Sequence, residues 1–210
     1  MKETGLRYTA EMVRAYFAGL KTQTRRIVKF SKHSFTQPLR HVEYARDGMP
    51  IWWDSPPSDT IRNSDYYDHG CPCPFGVVGD VLYGRECWGI TAARAHGYWL
   101  NGEILEGAYD LLRRDVPLTF HYRADGEIEG MRWRPSIHMP RVAARIIQPI
   151  TSIRVERLQD MRGADVAAEG FPFSSDLDQF KQLWESIYPG SWERNDHVWV
   201  LGFPKYEAGQ

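Results

Sequence analysis

The sequence predicts an α+β fold: a small, mostly antiparallel β-barrel with short flanking helices and irregular insertions. Strand-like segments outnumber helical ones, and no regular helix separates successive strands. A doubly wound parallel sheet requires such helices, whereas an antiparallel barrel does not. The length of 210 residues suits one domain. We therefore predict a single domain over 1–210, with insertions at about 30–75 and 91–130.

The N-terminal segment predicts a strand, a helix and a second strand. Leu6 and Tyr8 belong to the first strand, and Thr9 is placed to cap the helix. Gly19 follows the last apolar residue and suits a helix C-terminus. The helix is indicated by an apolar stripe at helical spacing, made of Met12, Val13, Tyr16 and Phe17. Residues 21–28 contain threonines and β-branched apolar residues, which favour a strand.

The middle of the chain is less regular. The segment 30–75 contains six prolines and no steady period, which predicts an irregular insertion. Gly79-Asp80 is a turn signal, and a strand should follow it. The segment 91–130 predicts a hairpin that contains Tyr122 and Asp125-Gly126.

The C-terminal part alternates strands and short helices. Residues 142–158 are rich in strand formers, and Ile153 and Val155 alternate with charged neighbours, so one face should be buried and the other wet. A short helix is predicted over 163–169, ended by Gly170. An amphipathic helix follows, with Phe180, Leu183, Trp184 and Ile187 on its apolar face, and then a strand over 198–203.

Composition excludes several classes of protein. The 26 basic and 27 acidic residues give a net charge of −1, which argues against binding nucleic acid through bulk charge. Aromatic residues make up 13%, unlike disordered or coiled-coil chains. The odd count of three cysteines argues against a disulfide framework. Neither a signal peptide nor an apolar run of membrane-spanning length is visible, so we expect a soluble, cytoplasmic protein with no membrane partner.

The neutral total hides charged blocks. Residues 21–46 hold seven basic residues and one acidic residue, and 131–157 hold six and one. Residues 159–196 hold three basic and eight acidic residues. If both basic blocks line one groove, the groove would attract phosphate. The alternative is that they are solvated strand faces paired with acidic residues elsewhere.

The densest polar motif is 21–26. In a strand Thr22, Thr24 and Arg26 share a face. Lys21 can meet Thr24 only if it lies in the turn before the strand begins. A lysine that neighbouring arginines and burial keep neutral can serve as the base for a threonine nucleophile. Phosphate contact and plain surface polarity are the other interpretations.

The segment 133–141 is the second notable motif. Its two prolines hold an extended loop that presents aromatic, basic and hydroxyl side chains. A base can stack on Trp133 or Arg134, and Arg141 can meet a phosphate. In the alternative interpretation the segment is a rigid crossover loop whose Trp133 and Met139 belong to the core.

Metal and cofactor signatures are weak. Four soft ligands are conceivable (His69, Cys71, Cys73 and Cys87), but Cys-Pro-Cys-Pro is not the usual zinc spacing. The zinc deaminase signature, phosphate-binding glycine loops, dinucleotide fingerprints and the Gly-x-Ser-x-Gly elbow are all missing from the sequence. We expect neither a metal nor a cofactor.

Several blocks, in order, resemble the ASCH-domain proteins of tailed phages and prophages. They are Gly19–Arg26, Cys73–Gly76, Gly79–Glu86, Trp133–Arg141, Glu156–Leu158, Ala168–Phe171 and Val198–Val200. The resemblance covers most of the chain outside the insertions. Two features depart from it: the chain is about twice as long as the family's amidohydrolase branch, and Gly84 replaces the usual aromatic residue before Arg85.

The resemblance implies a PUA-like barrel with a cleft beside the first helix, and RNA or a modified nucleoside or nucleotide as partner. In the similar branch of N4-acetylcytidine amidohydrolases, Lys21 would be the base, Thr24 the nucleophile and Glu169 the proton donor. Candidate binding residues are Thr22, Arg25, Arg26, Arg85, Glu86, Trp133, Arg134, Ser136, His138 and Arg141. A non-catalytic RNA- or modified-base-binding module and a metal-independent ribonuclease are the alternatives.

Overall fold

The computed structural model describes residues 1–29, 41–44, 50–53, 71–92, 118–171 and 177–208. Side chains are described for these except in 41–44, 50–53, 71–72 and residue 92. The strands are β1 (Glu3–Arg7), β2 (Gln23–Ile27), β3 (His41–Tyr44), β4 (Pro50–Trp53), β5 (Cys71–Pro72), β6 (Val81–Arg85), β7 (Trp88–Ala92), β8 (Leu118–Tyr122), β9 (Ile147–Pro149), β10 (Ser152–Arg157) and β11 (His197–Gly202). The helices are α1 (Ala10–Phe17), α2 (Gly163–Ala168) and α3 (Leu177–Ile187).

These elements form an α+β fold, as predicted. The strands make sheets of order β1-β6-β9, β10-β11-β2 and β3-β4-β5, and β7 pairs with β8. The described pairings of β10 with β11, β11 with β2, β3 with β4 and β4 with β5 are all antiparallel. Within the described residues none of these sheets closes on itself.

Contacts divide the chain into two compact units. Unit 1 consists of Met1–Thr4, Ala15–Leu82 and Gln148–Gln210, and unit 2 of Gly5–Arg14 and Tyr83–Ile147. Unit 1 contains the sheet β10-β11-β2 with α2 and α3, and unit 2 contains the β7-β8 pair. The prediction of one domain over 1–210 stays a prediction.

The helix boundaries follow the predicted signals. The Thr9 hydroxyl accepts a hydrogen bond from the Met12 N–H at 3.4 Å, as expected of an N-cap. Gly19 has φ +68°, the left-handed conformation that ends α1. At the end of α2, Gly170 has φ +103°. These contacts and dihedral angles confirm the predicted beginning and end of α1 and the predicted end of α2.

The segment 30–75 differs from its prediction. Its described residues include β3, β4 and β5, so it is not simply irregular. Two of its prolines are at strand ends, Pro50 beginning β4 and Pro72 ending β5. A proline at the first residue of a strand does not interrupt the hydrogen-bond ladder, so the proline count misled the prediction.

Each unit has its own apolar core. In unit 1, α2 and α3 pack on the sheet β10-β11-β2 through Leu158, Met161, Val166, Phe180, Trp184, Val198 and Val200. In unit 2, the core contains Trp88, Ile90, Met139 and Ala143. Met139 is therefore a core residue, as the crossover-loop interpretation required, whereas Trp133 is only half-buried.

Candidate functional site

Lys21 is held in the turn between α1 and β2. The N–H groups of Leu20 and Lys21 both donate to the Ala15 carbonyl, at 2.9 and 3.2 Å. The strand β2 begins only at Gln23, so Lys21 precedes it by two residues. This is the position that the sequence required if Lys21 was to meet Thr24.

The Lys21 ammonium group is fully buried and surrounded by oxygen atoms. Its Nζ donates to the Gln23 carbonyl at 2.8 Å, and to the Glu169 carbonyl and Glu169 Oε2 at 2.9 Å each. The exposed fraction is 0% for Lys21 and 3% for Glu169. Three acceptors match the three protons of an ammonium group. The pair joins residues 148 positions apart in the chain.

Glu169 reaches Lys21 because α2 ends against the Lys21 turn. A Cβ atom on Gly170 would lie 2.7 Å from the Ala15 Cβ and 3.4 Å from the Lys21 Cβ. The first distance is too short for two carbon atoms, so only glycine permits this approach. The Thr22 N–H also donates to the Ala168 carbonyl at 2.8 Å.

Arg25 extends the pair into a larger cluster. Its guanidinium donates to Glu169 Oε1 at 3.0 Å, and to Glu156 Oε1 at 2.5 and 3.1 Å. It also lies 3.3 Å from Asp165 Oδ1. Arg154 contacts Glu156 and Asp165 at 3.0 and 2.8 Å. We call these five residues and Lys21 the ion network, which holds three cations and three carboxylates.

The electrostatic environment favours different charge states at different positions. Burial lowers the pKa of Lys21, and Arg26 and Arg25 lower it further, although Glu169 opposes the change. Burial also acts to lower the pKa of Arg25, but the carboxylates of Glu169 and Glu156 outweigh it and raise that pKa. Lys21 is therefore the cation of the ion network whose neutral form is favoured by burial.

Thr24 leaves β2 on the side opposite Arg25, because successive strand residues alternate. It is paired with Leu201 of β11 and is fully buried. Its hydroxyl oxygen accepts a hydrogen bond from Arg26 Nη1 at 2.7 Å. The predicted common face of Thr24 and Arg26 is confirmed by this contact. The structure thus joins Lys21 to Glu169, and Thr24 to Arg26.

A cationic donor on the Thr24 oxygen has a chemical consequence. The charge of Arg26 stabilises an alkoxide more than a hydroxyl group, so the contact favours loss of the hydroxyl proton. A threonine nucleophile needs such activation because its free pKa is far above neutral. Arg26 therefore has a defined place beside the candidate nucleophile.

The candidate binding residues 85–141 belong to unit 2. Arg85 and Arg141 lie over the Tyr83 ring, with Cζ 5.7 and 5.1 Å from its centre. Arg134 lies over the Trp88 ring at 5.5 Å. The ring that Arg134 faces belongs to the protein itself, so the prediction that a base stacks on Arg134 stays a prediction.

Other residues of this set have internal partners. Glu86, 1% exposed, forms a bidentate ion pair with Arg145 at 2.9 and 3.0 Å, which gives it a structural task. Trp133 Nε1 donates to Glu127 at 2.7 Å. Ser136 and His138 begin and end a short 3₁₀ helix, in which His138 is exposed.

The described residues contain no group of three or more His, Cys, Asp or Glu side chains arranged to hold a metal ion. Of the four soft ligands, Cys73 is buried and Cys87 half-buried. His69 and the side chain of Cys71 lie outside the described part of the chain.

Sequence reasoning missed half of the ion network. Asp165, Arg154 and Gln23 were not singled out, yet Gln23 Nε2 donates to the Asp165 carbonyl at 2.9 Å. Arg154 and Glu156 were assigned to a wet strand face, whereas they contact α2 and β2. One sequence feature could have indicated these ion pairs. The negative charge of the stretch 159–196 balances the positive charge of the basic block at 21–46.

Comparisons with family models, curated proteins and solved structures find no match for this chain. Within the described residues, no helix has the length and apolar character needed to cross a membrane.

Proposed function

We propose that this chain is an ASCH-type protein of PUA-like fold that removes an acyl group from an N4-acylated cytidine. The observation that carries the proposal is the contact between Lys21 Nζ and Glu169 Oε2 at 2.9 Å. The family resemblance assigns both residues to one site, and they are 148 positions apart. In the proposed fold, the sheet β10-β11-β2 supplies part of the small barrel.

The reaction divides into two acyl transfers. The Thr24 oxygen attacks the acyl carbon once opening of the surrounding structure has brought its hydroxyl group to Lys21. Neutral Lys21 then takes the hydroxyl proton, and its lowered pKa favours the neutral form that this step requires. The proton passes through the Lys21–Glu169 pair to the leaving N4 nitrogen, releasing cytidine and an acyl-Thr24 ester. Water then attacks the ester, giving the free carboxylic acid and restoring the Thr24 hydroxyl. Arg26 stabilises the alkoxide character of Thr24 in both steps.

One observation favours the alternative of a non-catalytic binding module. Lys21 and Thr24 are 0% exposed, so a substrate reaches them only if the surrounding structure opens. Without such opening, the ion network ties α2 to β2 and has a structural role. The Lys21–Glu169 contact is expected in both cases, so activity decides between them.

The direct test is incubation with N4-acetylcytidine and chromatographic detection of cytidine. Thr24→Val keeps the shape of the side chain and removes its hydroxyl group, so it should lower turnover by at least about 10²-fold. Thr151→Val is the matched control, because Thr151 is an exposed threonine of the same unit. No cytidine from the wild type, or equal turnover by Thr24→Val, would support the binding module instead.

A further inference from the structure

Arg25 connects the Lys21–Glu169 pair to the rest of the ion network. Its side chain is 0% exposed, and each of its three nitrogen atoms has a carboxylate partner. Nη1 donates to Glu169 Oε1 at 3.0 Å, Nε donates to Glu156 at 3.1 Å, and Nη2 contacts Glu156 and Asp165. The rigid fork of a guanidinium group can hold several carboxylates in fixed directions, whereas an ammonium group on a flexible stem cannot.

The two carboxylate oxygens of Glu169 contact different cations. Oε1 accepts from Arg25 Nη1 at 3.0 Å, and Oε2 accepts from Lys21 Nζ at 2.9 Å. The Glu169 side chain is 2% exposed, so both contacts are shielded from bulk water. Any rotation that takes Oε2 away from Lys21 also breaks the buried, charge-assisted hydrogen bond to Arg25. Arg25 therefore fixes the direction in which the carboxylate faces Lys21.

The proton on Lys21 depends strongly on that carboxylate. Of the three oxygen atoms that accept from Lys21 Nζ, the carbonyl oxygens of Gln23 and Glu169 are neutral and Glu169 Oε2 carries charge. Arg25 contacts the same carboxylate, so it reduces the attraction between Glu169 and the Lys21 ammonium group. Its own positive charge also disfavours a second cation nearby. Both effects act toward loss of the Lys21 proton.

The electrostatic effects on the two cations agree with this arrangement. Burial lowers the pKa of Lys21, the charge of Glu169 raises it, and the charges of Arg26 and Arg25 lower it again. Burial also acts to lower the pKa of Arg25, but the charges of Glu169 and Glu156 outweigh it and raise that pKa. Glu169 thus interacts with both cations, and of these two Lys21 is the one shifted toward its neutral form.

We infer that Arg25 is a positioning residue that aims Glu169 Oε2 at Lys21 and, by sharing the same carboxylate, prepares Lys21 to give up its proton. The inference rests on the proposed function only for the use of that proton in the transfer between the Thr24 hydroxyl and the leaving nitrogen. Arg25 leaves β2 on the side opposite Thr24, so it acts on the Lys21–Glu169 pair and not on the nucleophile. This role differs from the binding role that the sequence predicts for Arg25.

The test is the pH titration of Lys21 in the full chain. It is followed by the NMR chemical shift of the Lys21 Cε carbon in protein that contains isotope-labelled lysine, and the signal is assigned by its loss in Lys21→Arg. The variant Arg25→Met removes the guanidinium group, so Glu169 acts on Lys21 alone. The midpoint of the titration should therefore move to higher pH. A midpoint that stays in place or moves to lower pH would overturn the inference.

A second background shows whether Arg25 acts through Glu169. If it does, Arg25→Met should move the Lys21 midpoint much less in a chain that already carries Glu169→Gln than in the wild type. Equal movements in the two backgrounds would mean that Arg25 acts on Lys21 by its charge alone, and the positioning role would be wrong.

The matched control is Arg154→Met. Arg154 belongs to the same ion network and contacts Glu156 and Asp165, but none of its described contacts is with Glu169 or Lys21. Its loss should leave the Lys21 midpoint close to that of the wild type. An equal movement in Arg154→Met would show that removal of any cation of the network has the same effect, which contradicts a particular role for Arg25.

Arg25→Met leaves the carboxylates of the ion network with one cation fewer, which destabilises the fold. If this variant does not fold, Arg25→Met/Glu156→Gln replaces it, with Glu156→Gln as its control. The double variant removes one charge of each sign and leaves Glu169 in place. Its Lys21 midpoint should lie at higher pH than that of Glu156→Gln, and equal midpoints would overturn the inference.

Turnover of N4-acetylcytidine separates this inference from the proposed function. In the wild type, the rising limb of the pH dependence of kcat/KM should follow the Lys21 midpoint, and Arg25→Met should move both to higher pH. A limb that stays in place while the midpoint moves would contradict a role of Arg25 in the reaction. If the wild type releases no cytidine, the hydrolysis proposal fails, and the NMR titration still decides whether Arg25 controls the Lys21 proton.

Discussion

Arg25 in unit 1 and Arg134 in unit 2 have opposite surroundings. Arg25 contacts the carboxylates of Glu169, Glu156 and Asp165, whereas the guanidinium of Arg134 contacts the Trp88 ring and no described carboxylate. A cation that the fold neutralises is committed to structure or to internal proton transfer. A cation held over an aromatic ring is oriented without being neutralised. The difference separates a buried, neutralised ion cluster in unit 1 from a cation that an aromatic ring orients in unit 2.

The largest expected effect is a loss of stability when the buried Lys21–Glu169 pair is broken. Lys21→Met leaves Glu169 buried without its ammonium partner and should lower the free energy of unfolding by about 3–5 kcal/mol. The double variant Lys21→Met/Glu169→Gln removes both charges and should be less destabilised than the sum of the single variants. Urea denaturation of the four proteins measures this coupling. Strict additivity would show that the two groups do not interact.

The next effect concerns the end of α2. Gly170→Ala introduces a Cβ atom 2.7 Å from the Ala15 Cβ at a residue with φ +103°, and should destabilise unit 1 by about 1–3 kcal/mol. Gly126→Ala is the matched control, since Gly126 also has positive φ but no atom within 4 Å of the added Cβ. Equal losses of thermal stability in both variants would mean that backbone strain, not the close approach to Lys21, governs this position.

A smaller effect is expected on the stability of the protein at low pH. Hydrogen bonds from the Arg162 N–H and Gln23, with the charges of Arg25 and Arg154, outweigh burial and lower the pKa of Asp165 below its ordinary value of 3.8. A lowered pKa contributes stability that is present above this ordinary value and is lost as pH falls through the folded-state pKa. Asp165→Asn should therefore flatten the loss of stability below pH 3.8, measured by urea denaturation. The exposed Asp178→Asn should leave that loss unchanged.

The smallest effect is expected at the partnered surface arginines of unit 2. Arg123→Gln removes an exposed i,i+4 ion pair with Glu127. Water and salt screen such exposed pairs, so they contribute little to stability and the thermal midpoint should barely move. A loss as large as that of Lys21→Met would contradict the contrast between the network in unit 1 and the surface of unit 2.

Local signals in the sequence predicted local structure well. Thr9, Gly19 and Gly170 each mark a helix boundary because capping and positive φ depend on neighbouring backbone alone. The Lys21–Glu169 contact was anticipated only through the family resemblance, since nothing local connects residues 148 positions apart.

The sequence pattern did not reveal which residues far apart in the chain contact each other. The alternation in β10 places Arg154 and Glu156 on one face, but it does not say whether water or α2 covers that face. The contacts of Glu156 with Arg25 depend on residues 131 positions away. Likewise, the pattern does not reveal that Glu86 pairs with Arg145, which is 59 positions away.

The most direct test of the central claim is the mass of the peptide that contains Thr24, measured during turnover of N4-acetylcytidine. Rapid acid quenching followed by peptide mass spectrometry should detect one acetyl group on Thr24 in the wild type and none in Thr24→Val, with cytidine released in equal amount in the first turnover. Absence of both the acetylated peptide and cytidine would contradict the account, and would leave the ion network as a structural connection between β2 and α2.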